Sequence, residues 1–211
     1  MTPQESSQQA SEICQLAPVV PVLVVEDAAT ASDLATALVI GGLPALEVTL
    51  RTPAALDVIR EMASVDGGVV GAGTLLTPED VVAAKEAGAL FGVTPGTTDR
   101  LLDAALDAEL PLLPGAATAT ESLRLLERGF SVQKFFPAEA SGGVPALKAI
   151  GAPIPQVRFC PTGGVSLKNA PEYLRLSNTI CVGGSWVAPK DAIESGDWNR
   201  IRELAAEASK L

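Results

Sequence analysis

Residues 19–50, VVPVLVVEDAATASDLATALVIGGLPALEVTL, contain two apolar, β-branched runs that flank a segment with helical periodicity. Val19 to Val25 and Ala45 to Leu50 have the composition of buried strands, and Gly41-Gly42 stand where a helix is expected to end. A strand, a helix and a second strand in this order form the unit from which parallel sheets are built. The stretch therefore predicts a βαβ unit.

Runs of the same kind recur along the chain, with centres on the order of 20–25 residues apart. Helix-start signals lie between them, such as Thr77-Pro78-Glu79-Asp80 before Val81 to Ala87. Eight βα repeats in 211 residues predict a (β/α)8 TIM barrel, a single domain over 1–211, with Glu5 to Leu16 as an extra N-terminal helix. A doubly wound sheet is the alternative. The other predicted strands are Val69 to Ala72, Leu90 to Thr94, Leu110 to Pro114, Val132 to Phe136, Val157 to Pro161 and Thr179 to Val182.

Composition limits the classes of function. The formal net charge of -10 repels nucleic acid and anionic membrane surfaces, so neither is an expected partner. The chain has no histidine, which excludes Ser-His-Asp and Cys-His catalysis and every histidine-ligated metal site. Cys14, Cys160 and Cys181 form no CxxC pair, and the N-terminus lacks the features of a signal peptide. We therefore expect reduced thiols in a cytoplasmic protein.

Lys134 is the first candidate for chemistry, because it lies in a run that otherwise suits a buried strand. Strand alternation puts Val132, Lys134 and Phe136 on one face, and Gln133 and Phe135 on the other. Removing an amine from water favours its neutral form, and a neutral amine attacks ketones to form a Schiff base. The alternatives are a structural lysine paired with a buried carboxylate, or a side chain that reaches out of the strand to water.

Glu47 is the second candidate. In residues 45–51, alternation places Leu46 and Val48 on one face and Glu47, Thr49 and Arg51 on the other, which predicts an inward polar stripe. Glu47 can pair with Lys134 or serve as a general acid/base beside an imine. Arg51 is placed to hold a carboxylate of a substrate. A structural Glu–Arg–Lys ion network is the alternative.

Two glycine-rich segments follow the last two predicted strands. Pro161-Thr162-Gly163-Gly164-Val165 ends the seventh strand, and Val182-Gly183-Gly184-Ser185-Trp186 ends the eighth. Exposed N–H groups at such turns bind anions, and phosphate sites of (β/α)8 enzymes often lie after these two strands. Thr74, after the third strand, has a hydroxyl for a carboxylate or keto oxygen, although a turn or cap role fits equally well. The alternative interpretation of the two glycine pairs is that each only forms a tight turn.

Together these segments resemble the family of 2-keto-3-deoxy-6-phosphogluconate (KDPG) aldolase and 4-hydroxy-2-oxoglutarate (KHG) aldolase. Two departures are modest: Thr94 stands where serine is expected, and Ser141 where asparagine is common. The resemblance covers most of the predicted barrel, and its KFFPAE and FCPTGG segments are the most specific. The matching segments are LEVTLRT (46–52), VGAGT (70–74), TPG (94–96), KFFPAEASGG (134–143), RFCPTGGVS (158–166) and CVGGSW (181–186).

The resemblance implies a role for each motif. Lys134 forms the Schiff base, and Glu47 is the general acid/base. The substrate-binding residues implied are Arg51 and Thr74 for the carboxylate of the pyruvate end, Pro95 and Phe136 for the pocket, and Gly163, Gly164, Gly184 and Ser185 for the phosphate. The family needs no metal or other cofactor and is usually a homotrimer.

The expected activity is therefore cleavage of KDPG, a phosphorylated 2-keto acid, to pyruvate and D-glyceraldehyde 3-phosphate in the Entner–Doudoroff pathway. Two other substrates stay open within the enzyme class: 4-hydroxy-2-oxoglutarate and the galactonate epimer of KDPG. A non-catalytic barrel for sugar-phosphate binding or assembly is the alternative from another class.

Overall fold

Short parallel strands alternate with helices along the chain in the computed structural model, which describes residues 1–211. Every strand pairing is parallel, as expected where a helix connects successive strands. The predicted α/β class is confirmed. The strands are β1 Val19–Leu23, β2 Ala45–Thr49, β3 Val69–Gly73, β4 Phe91–Val93, β5 Leu112–Leu113, β6 Gly115–Ala116, β7 Val132–Phe135, β8 Arg158–Pro161 and β9 Val182–Gly184.

The strands form two sheets, with the orders β5-β4-β3-β2-β1-β9 and β6-β7-β8. Only Pro114 separates β5 from β6; a proline has no N–H to donate, and a ladder ends at such a residue. Between β8 and β9 there are isolated bridges, one from Phe159 to Thr179 and one from Thr162 to Gly183. The carboxyl ends of β8 and β9 are therefore neighbours, as are their following loops.

Threonine caps mark several helix starts: Thr77 and Thr98 are predicted from the sequence, whereas the helix expected from the signal Ala119-Thr120-Glu121 is capped by Thr118. Thr77, Thr98 and Thr118 each accept a hydrogen bond from a backbone N–H of the first helical turn. None of the helices combines the length and the hydropathy that a membrane crossing requires. They are α1 Pro3–Cys14, α2 Ala31–Ile40, α3 Ala55–Met62, α4 Pro78–Glu86, α5 Asp99–Asp107, α6 Ala119–Glu127, α7 Gly143–Gly151, α8 Ala170–Leu174, α9 Lys190–Ser195 and α10 Trp198–Ala208, with a short 3-10 helix at Ala28–Thr30.

Apolar side chains pack on both faces of the strands. The larger cluster joins strands to helices and includes Leu46, Val48 and Phe135. A smaller cluster on the other face includes Val132, while Gln133 donates to carbonyls of Ser122 and Phe130, next to α6. The predicted alternation of β2 and β7 is thus confirmed, and it leaves Glu47 and Lys134 on the face away from the helices.

The N-terminal helix covers the amino ends of strands, as expected. The hydroxyl of Ser6 accepts a hydrogen bond from the N–H of Leu112 at 3.0 Å. The hydroxyl of Ser7 accepts from Ser131 at 3.0 Å and from Val132 at 3.2 Å. Both serines are buried, so these bonds satisfy strand N–H groups that would otherwise lack a partner.

Three predicted boundaries were wrong. The fifth run is split at Pro114 into β5 and β6. The last strand begins at Val182, and Thr179 contributes only an isolated bridge. Ser166 before the apolar segment Leu167 to Leu174 predicts a helix from Leu167. The helix instead begins at Ala170, because Asn169 accepts from the N–H of Ser166 and holds this segment in a turn before Pro171.

Candidate active site

Lys134 and Glu47 form a buried ion pair between β7 and β2. Lys134 Nζ lies 3.0 Å from Glu47 Oε1, and the two side chains are 4% and 3% exposed. Lys134 is therefore not turned out to solvent. Arg51 makes no ion pair with Glu47 or any other carboxylate, so the three-residue ion network considered from the sequence does not form.

The strand register and Gly73 provide the room for the Glu47 side chain of this pair. Glu47 is the register partner of Gly71 on β3, and a Cβ atom built on Gly73 would collide with the Glu47 carboxylate. Gly115 of β6 is the register partner of Lys134. Gly73 therefore leaves space for the Glu47 carboxylate of the adjacent strand, whereas Gly115 leaves space for the backbone carbonyls of Thr94 and Pro95.

A buried lysine–carboxylate pair can exchange its proton internally. The ammonium–carboxylate form and the amine–carboxylic acid form have the same net charge, so neither places an isolated charge in the interior. The 3.0 Å separation is hydrogen-bond distance, the range required for direct proton transfer. The arrangement can therefore supply a neutral amine and, beside it, a carboxylic acid.

Phe136 connects the lysine to the glycine turn that follows β8. Its ring centroid lies 5.2 Å from Lys134 Nζ, which is the range of a cation–π contact. A Cβ built on Gly163 would lie 3.2 Å from the same ring. The amine and the turn are therefore parts of one continuous surface at the carboxyl ends of β7 and β8.

Arg51 and Thr74 lie together, just beyond the carboxyl ends of β2 and β3. Arg51 Nε donates to Thr74 Oγ1 at 3.3 Å, and Arg51 is exposed. Thr74 has a φ of 61°, a conformation that is costly for a β-branched residue. Thr74 directly follows Gly73, the glycine whose Cβ would collide with the Glu47 carboxylate.

The turn at Gly163 and Gly164 presents unpaired N–H groups. The N–H groups of Gly163, Gly164 and Val165 make no hydrogen bond within the protein, whereas Ser166 N–H is bound by Asn169. Both glycines have positive φ, at 99° and 79°. Successive free N–H groups in such a turn form a site for an anion.

The second glycine-rich segment lies next to this turn because of the bridge between Thr162 and Gly183. The ring of Trp186 packs where a Cβ of Gly184 would stand, and Ser185 is exposed with an unpaired N–H. A Cβ on Gly183 would collide with the Thr162 hydroxyl. The predicted phosphate residues from β8 and β9 are therefore side by side.

Residues 10–204 match the family model for KDPG and KHG aldolase. The chain belongs to this aldolase family. It is 50% identical to the KHG/KDPG aldolase of Escherichia coli K12 over 94% of each chain. It also resembles the KDPG aldolase of Zymomonas mobilis ZM4 solved with 3-phosphoglycerate, at 49% identity and a TM-score of 0.91 over 96% of each chain. For the KDPG aldolase of Legionella pneumophila, solved with pyruvate as a covalent carbinolamine, the identity is 44% and the TM-score 0.92, over 94% of this chain and 97% of that one.

Pro95 lies at the same end of the aldolase, packed on the strand next to that of Lys134. It follows β4, is half-buried, and its carbonyl packs against Gly115. The hydroxyl of the preceding Thr94 accepts from the N–H of Gly115 at 3.0 Å. Pro95 and Ser185 therefore share the face of the site, whereas the direct contacts described above join Glu47, Lys134, Phe136 and Gly163.

Sequence reasoning missed two buried residues of the aldolase near this face. Thr162, the register neighbour of Gly183, is 5% exposed and bonds to the Cys160 carbonyl at 3.4 Å. Tyr173 on α8 is fully buried and donates a short hydrogen bond to Glu139. A hydroxyl at the end of an apolar strand is a signal for Thr162, but Tyr173 carries no comparable local signal.

The three free thiols of the aldolase meet in the inner apolar cluster. Cys14 of α1, Cys160 of β8 and Cys181 before β9 are all buried. Hydrogen bonds to Cys14 and Cys160, followed by burial, raise the pKa of the Cys181 thiol. The three cysteines are 21 to 167 positions apart in the sequence, so no spacing motif predicts that they cluster.

Proposed function

We propose that the protein is a class I aldolase that cleaves KDPG to pyruvate and D-glyceraldehyde 3-phosphate, with Lys134 as the Schiff-base nucleophile. The observation that carries this proposal is the buried pair of Lys134 and Glu47 at 3.0 Å. Membership of the aldolase family and the likeness to a KDPG aldolase with a covalent carbinolamine support it. These findings do not favour a non-catalytic binding barrel.

Formation of the Schiff base uses the proton shared by the pair. Glu47 accepts a proton from the Lys134 ammonium, and the neutral amine attacks the keto carbon at C2 of the substrate. The keto oxygen takes up two protons, one from the attacking nitrogen and one from Glu47 as the acid, and leaves as water. The product is a protonated imine between Lys134 and C2, and Glu47 is again a carboxylate.

Cleavage follows from the imine acting as an electron sink. Glu47 removes the proton of the C4 hydroxyl, the C3–C4 bond breaks, and its electron pair moves toward the iminium nitrogen. D-Glyceraldehyde 3-phosphate leaves and an enamine remains. Protonation of C3 by Glu47 and addition of water to the imine release pyruvate and restore Lys134. One carboxylate serves each step because its protonation state alternates.

The two ends of the site are proposed to hold the two ends of the substrate. Arg51 and Thr74, whose Nε and Oγ1 atoms are 3.3 Å apart, bind the carboxylate of the pyruvate end. Phe136 and Pro95 shape the pocket. The phosphate binds at the unpaired N–H groups of Gly163 and Gly164, with Gly184 and Ser185 adjacent.

We further propose that the two sheets close into a (β/α)8 barrel comprising residues 1–211 as one domain. Counting β5 and β6 as one interrupted strand gives eight, and the bridges from β8 to Thr179 and Gly183 support closure.

We also propose a homotrimer in the cytoplasm. Exposed Leu76, Val82 and Leu90 on and around α4 support self-association, and three adjacent free thiols suit a reducing compartment. Light scattering should give three times the chain mass of 21.6 kDa; a monomer would contradict the trimer.

Borohydride trapping with pyruvate tests the central proposal. Reduction should add the pyruvate-derived mass to the peptide that contains Lys134, and Lys134→Ala should abolish both trapping and turnover while the fold is retained. Lys168→Ala, which removes an exposed lysine, is the control. Full turnover by Lys134→Ala, or trapping at another lysine, would overturn the assignment.

The acid/base role of Glu47 has its own test. Glu47→Gln preserves size but cannot exchange the proton, so kcat should fall about 100-fold or more with little change in binding. An effect confined to KM would contradict the role.

Cleavage of 4-hydroxy-2-oxoglutarate is a second candidate activity, because the Escherichia coli relative is a KHG/KDPG aldolase. The galactonate epimer of KDPG is a third substrate to compare. Parallel measurements of kcat/KM on the three keto acids should rank KDPG first. A higher kcat/KM for either of the others would overturn the substrate assignment but leave the Schiff-base chemistry intact.

A further inference from the structure

The loop after β7 holds the glycine turn after β8 by its backbone. Ala138 N–H donates to the Thr162 carbonyl at 2.8 Å, and Glu139 N–H donates to the Gly163 carbonyl at 3.0 Å. From the other side, Asn169 Nδ2 donates to the Gly164 carbonyl at 3.1 Å. The carbonyls of the turn are therefore bound by the protein, while its N–H groups stay free for an anion.

The side chain of Glu139 supports the same turn. A Cβ built on Gly164 would lie 2.6 Å from Glu139 Cγ, so the aliphatic part of Glu139 rests directly against this glycine. Its carboxylate accepts a short hydrogen bond from the Tyr173 hydroxyl. Burial, and next the bond to Glu139, raise the pKa of Tyr173, which keeps the hydroxyl a neutral donor.

The charge of Glu139 makes its position unexpected beside an anion site. No lysine or arginine pairs with this carboxylate, and a carboxylate near a phosphate weakens its binding. Tyr173, by contrast, is fully buried on α8 and fixes the carboxylate in one place. The contacts of Glu139 therefore explain its presence better than its charge does.

We propose that Glu139 and Tyr173 are a positioning pair, which orients the Gly163–Gly164 turn so that its free N–H groups meet the phosphate of the substrate. This inference rests on the proposed function, in which that turn binds the phosphate. Neither residue touches the reacting carbons, since each acts through the turn. Their effect should therefore fall on binding of phosphorylated ligands and not on Schiff-base chemistry.

Three variants test the pair: Glu139→Ala, Glu139→Gln and Tyr173→Phe. Glu139→Ala removes both the aliphatic support and the acceptor, and Tyr173→Phe removes the donor. Glu139→Ala and Tyr173→Phe should each raise KM for KDPG about tenfold, the scale of one hydrogen bond to a charged group, with kcat nearly unchanged. KM for unphosphorylated 4-hydroxy-2-oxoglutarate should stay within about twofold of the wild-type value.

Glu139→Gln retains the aliphatic part and an acceptor oxygen, so it should restore most of the affinity that Glu139→Ala loses. Glu172→Ala, on the exposed side of the same helix α8, is the matched control and should change neither KM. Inhibition by inorganic phosphate, with 4-hydroxy-2-oxoglutarate as substrate, gives an independent reading: its inhibition constant should rise about tenfold in Glu139→Ala and Tyr173→Phe.

Several results would overturn the pair. An equal rise in KM for both substrates, a fall in kcat alone, or a Glu139→Gln variant as impaired as Glu139→Ala would each do so. Pyruvate trapping at Lys134 separates this failure from failure of the proposed function. A wild-type protein that neither traps pyruvate nor cleaves KDPG refutes the function, whereas active variants without a difference between substrates refute only the positioning pair.

Discussion

Removing either member of the Lys134–Glu47 pair alone is expected to lower the free energy of unfolding by more than half of the loss caused by removing both members. At 3.0 Å and an effective dielectric constant of about 20, the attraction between the two charges is about 5.5 kcal/mol. The side chains are 4% and 3% exposed, so water cannot replace a lost partner. Lys134→Met and Glu47→Gln should therefore each lower the free energy of unfolding by about 3–5 kcal/mol.

The double variant should cost less than the sum of the two single variants, with a coupling of about 2–3 kcal/mol, because no unpaired charge is left inside. Urea denaturation followed by circular dichroism, at one protein concentration, measures all four proteins. Lys190–Glu26 is the matched control, since its atoms are 3.3 Å apart but the side chains are 70% and 69% exposed. Because solvent screens this exposed pair, the stability costs of its two single variants should add up to the cost of its double variant. Additive costs at the buried pair, or equal coupling in the two cycles, would refute the reasoning.

Three further predictions follow from local geometry. Gly73→Ala should lower kcat and pyruvate trapping more than about tenfold, because the added Cβ collides with Glu47. The control is Gly96→Ala, whose Cβ meets nothing within 4 Å and which should lower neither; equal effects of the two variants would contradict this. An aromatic disulfide reagent should label none of the three buried thiols in the native protein and all three in guanidinium, and rapid native labelling would show that the inner cluster opens. Thr74→Gly should relieve the backbone strain at φ 61° and raise the free energy of unfolding by about 1 kcal/mol; a less stable variant would contradict the strain. KM for KDPG should rise in the same variant, because Arg51 loses its hydroxyl partner.

Much of the strand pattern could be predicted from local composition. Alternation within residues 45–51 and 132–136 correctly separated the faces of β2 and β7, since a strand has a fixed period of two. The capping residues Thr77 and Thr98 likewise marked two helix starts. Boundaries failed where one local interaction competed with the pattern, at Pro114 and at the Asn169 turn that delays α8.

The candidate site likewise combines features that the sequence determines with features that only the tertiary structure decides. Sequence alone determined which residue types are candidates for the chemistry: a lysine and a glutamate on inward strand faces, a chain without histidine, and glycine pairs after two strands. Only the tertiary structure decided that Lys134 and Glu47, 87 residues apart, stand at 3.0 Å, that Arg51 joins Thr74 instead of them, and that Tyr173 reaches Glu139. The physical reason is that side-chain direction follows from the backbone period of a single strand, whereas distance between strands depends on register and packing across the whole sheet.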